Sequence, residues 1–133
     1  MEEIPNIHHC LVVSGLGPMQ VALAAILENP DGYLGLVEFY QRKRDILLTC
    51  MTESRLDIKP CSSGFFMLAR FSDFSNQGDR DFVFALLREM RVGTIPLSSF
   101  YGDGMDTGMI RLGLCKGDDT LCEGGRALSD WRP

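Results

Sequence analysis

One arginine inside an apolar strand pattern is the residue of this sequence best suited to chemistry. The stretch GMIRLGLCKGDDTL (108–121) alternates as a half-buried strand does, and Arg111 interrupts its apolar residues. Because strand side chains alternate between two faces, the pattern predicts that Ile110 and Leu112 face the core. Arg111 then faces the other way, and Gly113 leaves space beside it. A guanidinium in such a position can bind a carboxylate through two parallel hydrogen bonds.

Two interpretations of Arg111 follow from these residues alone. In the first, which the pattern by itself favours, the arginine pairs with a nearby Asp or Glu on an exposed sheet face. In the second, it binds the carboxylate of a ligand. The segment IPLSSFYGDG (95–104) adds Phe100 and Tyr101 on a loop after Pro96, and loops on a rigid scaffold often carry functional residues. An ordinary connection explains that loop equally well.

The sequence gives little support for a zinc site or for a catalytic cysteine with a histidine base. The five cysteines are odd in number, widely spaced and contain no C-x-x-C pair, so we expect no zinc site. They are predicted to be free thiols in a reducing compartment, which favours a cytoplasmic location. Cys61 as a nucleophile lacks a partner base, because the only histidines are His8 and His9 near the N-terminus. The cysteines are Cys10, Cys50, Cys61, Cys115 and Cys122.

The charge balance argues against nucleic-acid binding. The chain has 13 basic and 18 acidic residues and a net charge of −5, whereas phosphate binding needs a basic face. The only basic cluster, QRKRD (41–45), is predicted to be the solvated face of a helix. No apolar run approaches the roughly 20 residues that span a bilayer, and the acidic N-terminus does not resemble a secretory signal, so we expect no membrane partner.

The elements that must position Arg111 follow from the periodicity of apolar residues. The first helix (15–30) starts near Gly17 and Pro18, and it is apolar nearly all round, so it needs burial on most sides. A second helix (30–51), with Asp31 as candidate N-cap, carries one apolar stripe. The members of that stripe are Tyr33, Leu36, Tyr40, Leu47 and Met51.

The remaining elements complete the order α-α-β-β-α-β-β-α. This order predicts a small sheet with helices packed on it, of α/β or α+β class. The third helix should bury Val83, Leu86, Leu87 and Met90. Gly124 and Gly125 should weaken the last helix by about 1 kcal/mol each relative to alanine. The predicted elements are strands at 56–60, 64–71, 92–96 and 109–115, helices at 76–92 and 117–131, and a glycine-rich loop at 97–108.

Four segments in this order resemble one family. They are QVALAAILENPDGYLGLVEFYQRKRDILLTCM, IKPCSSGFFMLARFSDF, VGTIPLSSFYGD and MIRLGLCKGDDTLCEGGRAL. Together they are similar, over roughly residues 14 to 131, to the C-terminal small domain of class I/II, fold-type I aminotransferases, which depend on pyridoxal phosphate. The nearest branch is that of the kynurenine and methionine aminotransferases.

The resemblance implies a function for the arginine. In this family the arginine of the matching strand grips the α-carboxylate of the amino-acid substrate, and by position it is Arg111. Phe100 and Tyr101 would line the substrate entrance. The implied reaction transfers an amino group from an amino acid to a 2-oxo acid through pyridoxal phosphate. The implied fold is a few-stranded sheet with helices on it, preceded by linking helices.

One departure from the family limits this expectation. The family's cofactor forms a Schiff base with a lysine in a Ser-x-Ser/Thr-Lys context, and none of Lys43, Lys59 and Lys116 has that context. We therefore expect no covalent cofactor in this chain and no transamination by it alone.

The same resemblance implies the domain organisation and the partners. Residues 1–30 would be an N-terminal segment and linking helix truncated from a large domain, and residues 31–133 the small domain. The missing large domain and a homodimer partner would then cover the apolar first helix. The alternatives are a non-catalytic module that binds amino or oxo acids or dimerises, and an unrelated α+β domain whose similarity is accidental.

Overall fold

The computed structural model of the chain describes residues 3–12, 15–59 and 61–132. These residues form two compact units that meet in the chain between Leu36 and Val37. The second unit combines helices with one small antiparallel sheet, which confirms the predicted fold class.

The first unit is helical throughout. It contains α1 (Glu3–Val12), α2 (Gly17–Leu27) and the short α3 (Asp31–Leu34). The sequence pattern predicted α2 but not α1. Although its all-round apolar character calls for burial on most sides, α2 buries none of its residues within the chain. No single described helix is long and apolar enough to cross a membrane, and α1 and α2 meet such a test only when taken together across a sharp bend.

The predicted helix 30–51 is interrupted at Gly35. The structure has α3 ending at Leu34 and α4 running over Leu36–Cys50, and glycine is a poor helix former that readily marks such a break. Asp31 is the first residue of α3, and the N-cap position belongs to Pro30. Of the predicted stripe, Leu47 and Met51 are buried and Tyr40 and Tyr33 are half-buried, but Leu36 is exposed.

The sheet of the second unit has the strand order β1-β2-β4-β3, and every neighbouring pair is antiparallel. A 3-10 helix, Leu97–Phe100, opens the loop between β3 and β4. The predicted order of strands and helices is therefore confirmed for this unit. The elements are β1 (Asp57–Lys59), β2 (Phe66–Arg70), α5 (Asp79–Met90), β3 (Ile95–Pro96), β4 (Met109–Gly113) and α6 (Asp118–Asp130).

The core lies on one face of this sheet. Ile110, Leu112 and Leu114 are buried as the alternation predicted. Beside them, the ring of Phe82 from α5 stacks on that of Phe71 with centroids 3.9 Å apart. The ring of Trp131 meets Phe82 edge-on at 5.1 Å, so aromatic packing joins α5, the end of β2 and the C-terminus of α6.

The prediction that Leu87 of α5 is buried in the core is wrong. Val83 and Leu86 are buried and Met90 is half-buried, but Leu87 is 46% exposed. Phe82, which is fully buried, moves the centre of the apolar stripe away from position 87. Leu87 therefore lies at the edge of the stripe, where solvent reaches it.

The basic cluster 41–45 is not the solvated face that the sequence suggested. Lys43 is buried, and its Nζ donates to the carbonyl of Lys116 at 2.7 Å and to Asp118 Oδ1 at 2.5 Å. Arg42 adds a bond to Asp118 Oδ2 at 2.9 Å. The hydrogen bond from Lys43 is the main reason that the pKa of Asp118 is lowered, and the charge of Arg42 contributes. These contacts fix the start of α6 against α4.

Arg44 of the same cluster is buried as well. Its Nη1 donates to the carbonyl of Gly64 at 3.2 Å, and its Nη2 donates to Gln41 Oε1 at 3.0 Å. Gly64 has φ +82°, a left-handed conformation that glycine adopts at little cost. Arg44 thus holds the turn before β2 against α4. A run of charged residues lies in solvent only when no hydrogen-bond acceptors from distant parts of the chain contact it. Here such acceptors contact Lys43 and Arg44.

The expectation of five free thiols is also wrong, because Cys50 and Cys122 form a disulfide between α4 and α6. Cys10, Cys61 and Cys115 are free. A β-carbon at position 125 would lie 2.8 Å from the β-carbon of Cys50, so Gly125 permits the close approach of the two helices. The inference of a cytoplasmic location from free thiols therefore loses its basis.

Reduction of this disulfide should destabilise the second unit. The bond closes a chain separation of 72 residues, and native disulfides of this kind contribute about 2–4 kcal/mol to the free energy of unfolding. Urea unfolding with and without a reductant measures the loss, and Cys50→Ser should show it without reductant. Cys10→Ser, which changes a free and exposed cysteine, is the control and should behave as the unmodified chain. Equal stability of the oxidised and reduced chains would contradict the prediction.

Acid should weaken the contact of Asp118 with Lys43 and Arg42. Because the folded pKa of Asp118 lies below its ordinary value of 3.8, its contribution is complete above that pH and is lost as the pH falls through the folded pKa. The stability gap between the unmodified chain and Asp118→Asn should hence stay constant above about pH 5 and shrink in stronger acid. Urea unfolding at a series of pH values measures it, with Asp119→Asn of the same helix turn as control. A gap that does not depend on pH would disprove this account.

Candidate functional site

Arg111 lies on the face of the sheet opposite to the core, as the alternation predicted. Its neighbours across the strands are Leu68 of β2 and Ile95 of β3. The guanidinium carbon lies 4.4 Å from the ring centroid of Phe100 and 4.9 Å from that of Phe66. Two aromatic rings, one from the loop after β3 and one from β2, therefore contact the same cation.

No internal counter-charge accounts for this arginine. Within residues 3–12, 15–59 and 61–132, the only acidic groups in ion pairs are Asp118 and Asp57, and their partners are other cations. The first interpretation of Arg111, an ion pair on an exposed sheet face, is therefore wrong for the described part of the chain. A cation–π contact does not use up the N–H donors of a guanidinium, which can still bond to a ligand.

The space beside Arg111 is open. A β-carbon at position 113 would meet no atom within 4 Å, which confirms the room that Gly113 was expected to leave. Arg111 and Gly113 lie on the wall of a pocket of about 800 Å³. That volume lies within the range of small-molecule sites. The other walls come from the end of α5, from β3 and from α6, and they include Met90, Thr94, Leu121 and Ala127.

The three predicted site residues do not all come together. Phe100 contacts Arg111, as described above. Tyr101 follows it and is exposed, and its backbone N–H donates to the carbonyl of Ser98 at 3.2 Å. Among the ring contacts of the described residues, none involves Tyr101.

Phe66 is the site residue that sequence reasoning missed. The alternation of FFMLAR already places Phe66 on the face opposite to the buried Met67. What the pattern does not give is the register, which sets Phe66 opposite Gly113 and so diagonal to Arg111. The ring centroid of Phe66 lies 4.9 Å from the guanidinium carbon of Arg111, and a β-carbon at position 113 would not touch that ring.

The other reactive groups of the described residues form no catalytic pair. Cys61 Sγ contacts the carbonyl of Ser63 at 2.6 Å, and no base accompanies it in the described residues. Cys115 lies 3.5 Å from the hydroxyl of Tyr40, and this hydrogen bond raises the pKa of Tyr40. Across the described ranges, no three His, Cys, Asp or Glu side chains are grouped so that they could hold a metal ion.

The relatives of the chain decide how this site is classified. No family model matches the sequence. The methionine aminotransferase of Escherichia coli (strain K12) is 40% identical over 127 residues, which are 95% of this chain and 33% of that protein. A kynurenine–oxoglutarate transaminase of Dictyostelium discoideum is 34% identical, over 89% of this chain and 32% of that protein.

This chain is a homologue of the C-terminal third of fold-type I aminotransferases. A solved structure from Escherichia coli, of a protein with a methionine aminotransferase function, superposes on it with a TM-score of 0.87 at 39% identity. That superposition covers 98% of this chain and 35% of the other. The chain thus spans about a third of the length of the aminotransferases it matches, and the resemblance noted in the sequence is confirmed.

Proposed function

We propose that this chain is the C-terminal portion of a pyridoxal-phosphate-dependent aminotransferase and that Arg111 binds the α-carboxylate of its amino-acid and 2-oxo-acid substrates. The observation that carries the proposal is a guanidinium on the wall of an open pocket, in cation–π contact with Phe66 and Phe100, with no carboxylate partner among the described residues. The homology supports the reaction class.

The geometry suits a planar acid group. A guanidinium presents two parallel N–H groups along its edge, and these match the two oxygens of a carboxylate. The rings of Phe66 and Phe100 add cation–π attraction that holds the cation in place. Phe100 contacts the guanidinium beside the pocket, although it is not among the residues that line the pocket. We assign the exposed Tyr101, which is not among them either, to the outer approach to the site.

The lysines of the chain do not fit a covalent cofactor. Pyridoxal phosphate supplies the electron sink for amino-group transfer and is carried on a lysine amine. Lys43 Nζ is buried against Asp118 and the Lys116 carbonyl, and Lys59 is paired with Asp57. Lys116 is exposed before α6 and lines the same pocket as Arg111, but its context CKGDD is not the Ser-x-Ser/Thr-Lys context that carries the cofactor in the family. In this proposal the cofactor lysine belongs to the part of the relatives that these 133 residues do not match, and the chain alone does not transaminate.

The exposed apolar surface of the first unit suits an incomplete assembly. Helix α2 presents Val21, Leu23 and Ile26 to solvent. We assign residues 1–30 to a segment that links to a large domain, and residues 31–133 to the small domain. The large domain and the second subunit of a homodimer then cover α2, because an apolar helix with no buried side is unfavourable in water.

The same exposed helix favours one alternative function. Through α2 the chain would pair with itself or with a full-length relative, as a dimerisation module that has no catalytic role. A variant of this alternative retains Arg111 as a sensor of amino or oxo acids. The oxo-acid titration in the next paragraph distinguishes a pure dimerisation module from a chain that binds acids through Arg111, because a pure dimerisation module binds no oxo acid.

The chain should bind pyruvate and related 2-oxo acids through Arg111. Calorimetric titration of the unmodified chain is compared with Arg111→Lys, which keeps the charge but loses the two-pronged donor, and with Arg111→Ala. Since hydrogen bonds to charged groups are worth about 1.5–3 kcal/mol, we expect Arg111→Lys to bind at least roughly tenfold more weakly. Arg111→Ala should not bind. Arg126→Ala, which changes an exposed arginine of α6, is the control, and equal affinity of Arg111→Ala and the control would refute the role of Arg111.

Pyridoxal phosphate should not become attached to a specific lysine of the 133-residue chain. After incubation with the cofactor and reduction with borohydride, peptide mapping should find no lysine labelled in preference to the others. Buried Lys43 should be labelled least, because its amine is engaged by two acceptors. Stoichiometric label on one lysine, with an absorbance band that reduction removes, would overturn the proposal that the cofactor lysine lies elsewhere.

A further inference from the structure

The loop between β3 and β4, residues 97–108, is tied to the first residue of α5 at both of its ends. Asp79 is 2% exposed, and its carboxylate accepts hydrogen bonds from the backbone N–H of Ser98 at 2.6 Å and from Ser98 Oγ at 2.8 Å. The N–H of Asp79 donates to Asp106 Oδ2 at 2.7 Å. Asp106 Oδ1 accepts in turn from the N–H of Gly108 at 2.8 Å.

Because the Asp79 carboxylate is buried, the geometry of this attachment is tightly constrained. A buried charge is tolerated only when hydrogen bonds or an opposite charge compensate it. Asp79 forms no salt bridge within the described ranges, so Ser98 and the N-terminus of α5 supply the compensation. Both Ser98 donors must therefore remain aimed at the carboxylate, which fixes Ser98 in position and orientation.

Ser98 transmits this constraint to Phe100. Both residues belong to the 3-10 helix Leu97–Phe100, which the bond from the N–H of Tyr101 to the Ser98 carbonyl closes. In one turn of such a helix the direction of each side chain follows from that of its neighbours. The ring of Phe100, exposed to solvent on its outer side, contacts the guanidinium of Arg111 at 4.4 Å.

We propose that Asp79 is a positioning residue for Arg111, and that it acts through Ser98 to hold the Phe100 ring over the guanidinium. The purpose assigned to Arg111 rests on the proposed function, but the positioning itself does not. Asp79 prepares the cation before any acid arrives, so less ordering is required when a carboxylate binds. A purely structural Asp79 would stabilise the start of α5 and leave the surroundings of Arg111 unchanged.

The test reads the Arg111 side chain directly by NMR of the ¹⁵N-labelled chain. The Nε–H signal of Arg111 is assigned by its loss in Arg111→Lys. The chemical shift of a proton held against an aromatic ring is changed by the ring current. Phe100→Leu defines the signal without the ring. The indole N–H of Trp131, the only tryptophan, bonds to Glu89 at 2.8 Å and packs in the core, so its signal reports whether each variant is folded.

Two matched pairs decide the result. Asp79→Asn and Ser98→Ala should move the Arg111 signal toward its position in Phe100→Leu. Asp81→Asn, an exposed acid of the same first turn, and Ser98→Thr, which retains both donors, should leave it in place. If Asp79→Asn loses the Trp131 signal through unfolding, the milder pair at Ser98 carries the decision. An Arg111 signal that stays fixed in Asp79→Asn or Ser98→Ala, while Phe100→Leu moves it, overturns the proposal.

Titration of the same samples with pyruvate separates this inference from the proposed function. We expect Asp79→Asn and Ser98→Ala to bind pyruvate roughly 2- to 10-fold more weakly, because each loses one or two hydrogen bonds that prepare the site. If pyruvate leaves the Arg111 signal of the unmodified chain unchanged up to the highest concentration tested, the proposal that Arg111 binds a carboxylate is refuted. The response of that signal to Asp79→Asn still decides the positioning role in that case.

Discussion

The site depends on one constraint: the guanidinium of Arg111 is held in position without a carboxylate partner among the described residues. The guanidinium carbon of Arg111 lies 4.4 and 4.9 Å from the ring centroids of Phe100 and Phe66, and no acidic group in the described part of the chain pairs with it. Cation–π contacts can fix the position of such a charge but do not neutralise it. The result is a cation that is oriented and still available for an anion.

Holding the two rings in place involves most of the second unit. Phe66 reaches Arg111 because the register of β2 with β4 sets it opposite Gly113 and so diagonal to Arg111. Phe100 reaches it from the other side because Asp79 anchors Ser98. The chain matches about a third of the length of these aminotransferases, so in the relatives the matching segment is one part of a longer chain.

The helices behind the sheet are fixed by contacts between residues far apart in sequence. Lys43 of α4 bonds to the Lys116 carbonyl and to Asp118 at the start of α6, and the disulfide of Cys50 with Cys122 joins the same two helices. Gly125 lets them approach closely, at the cost of a weaker helix. The start of α6 follows β4 directly, so these contacts also hold the end of the strand that carries Arg111.

The sequence by itself determined the local pattern of the second unit: the order of strands and helices, the buried face of β4 and the outward direction of Arg111. These features follow from alternation and helical periodicity, which are properties of neighbouring residues. Only the tertiary structure decided that Lys43 and Arg44 are buried, that two cysteines are bonded, that Leu87 is exposed and that Phe66 meets Arg111. Each of these depends on strand register or helix docking, which bring together residues that a linear pattern leaves far apart.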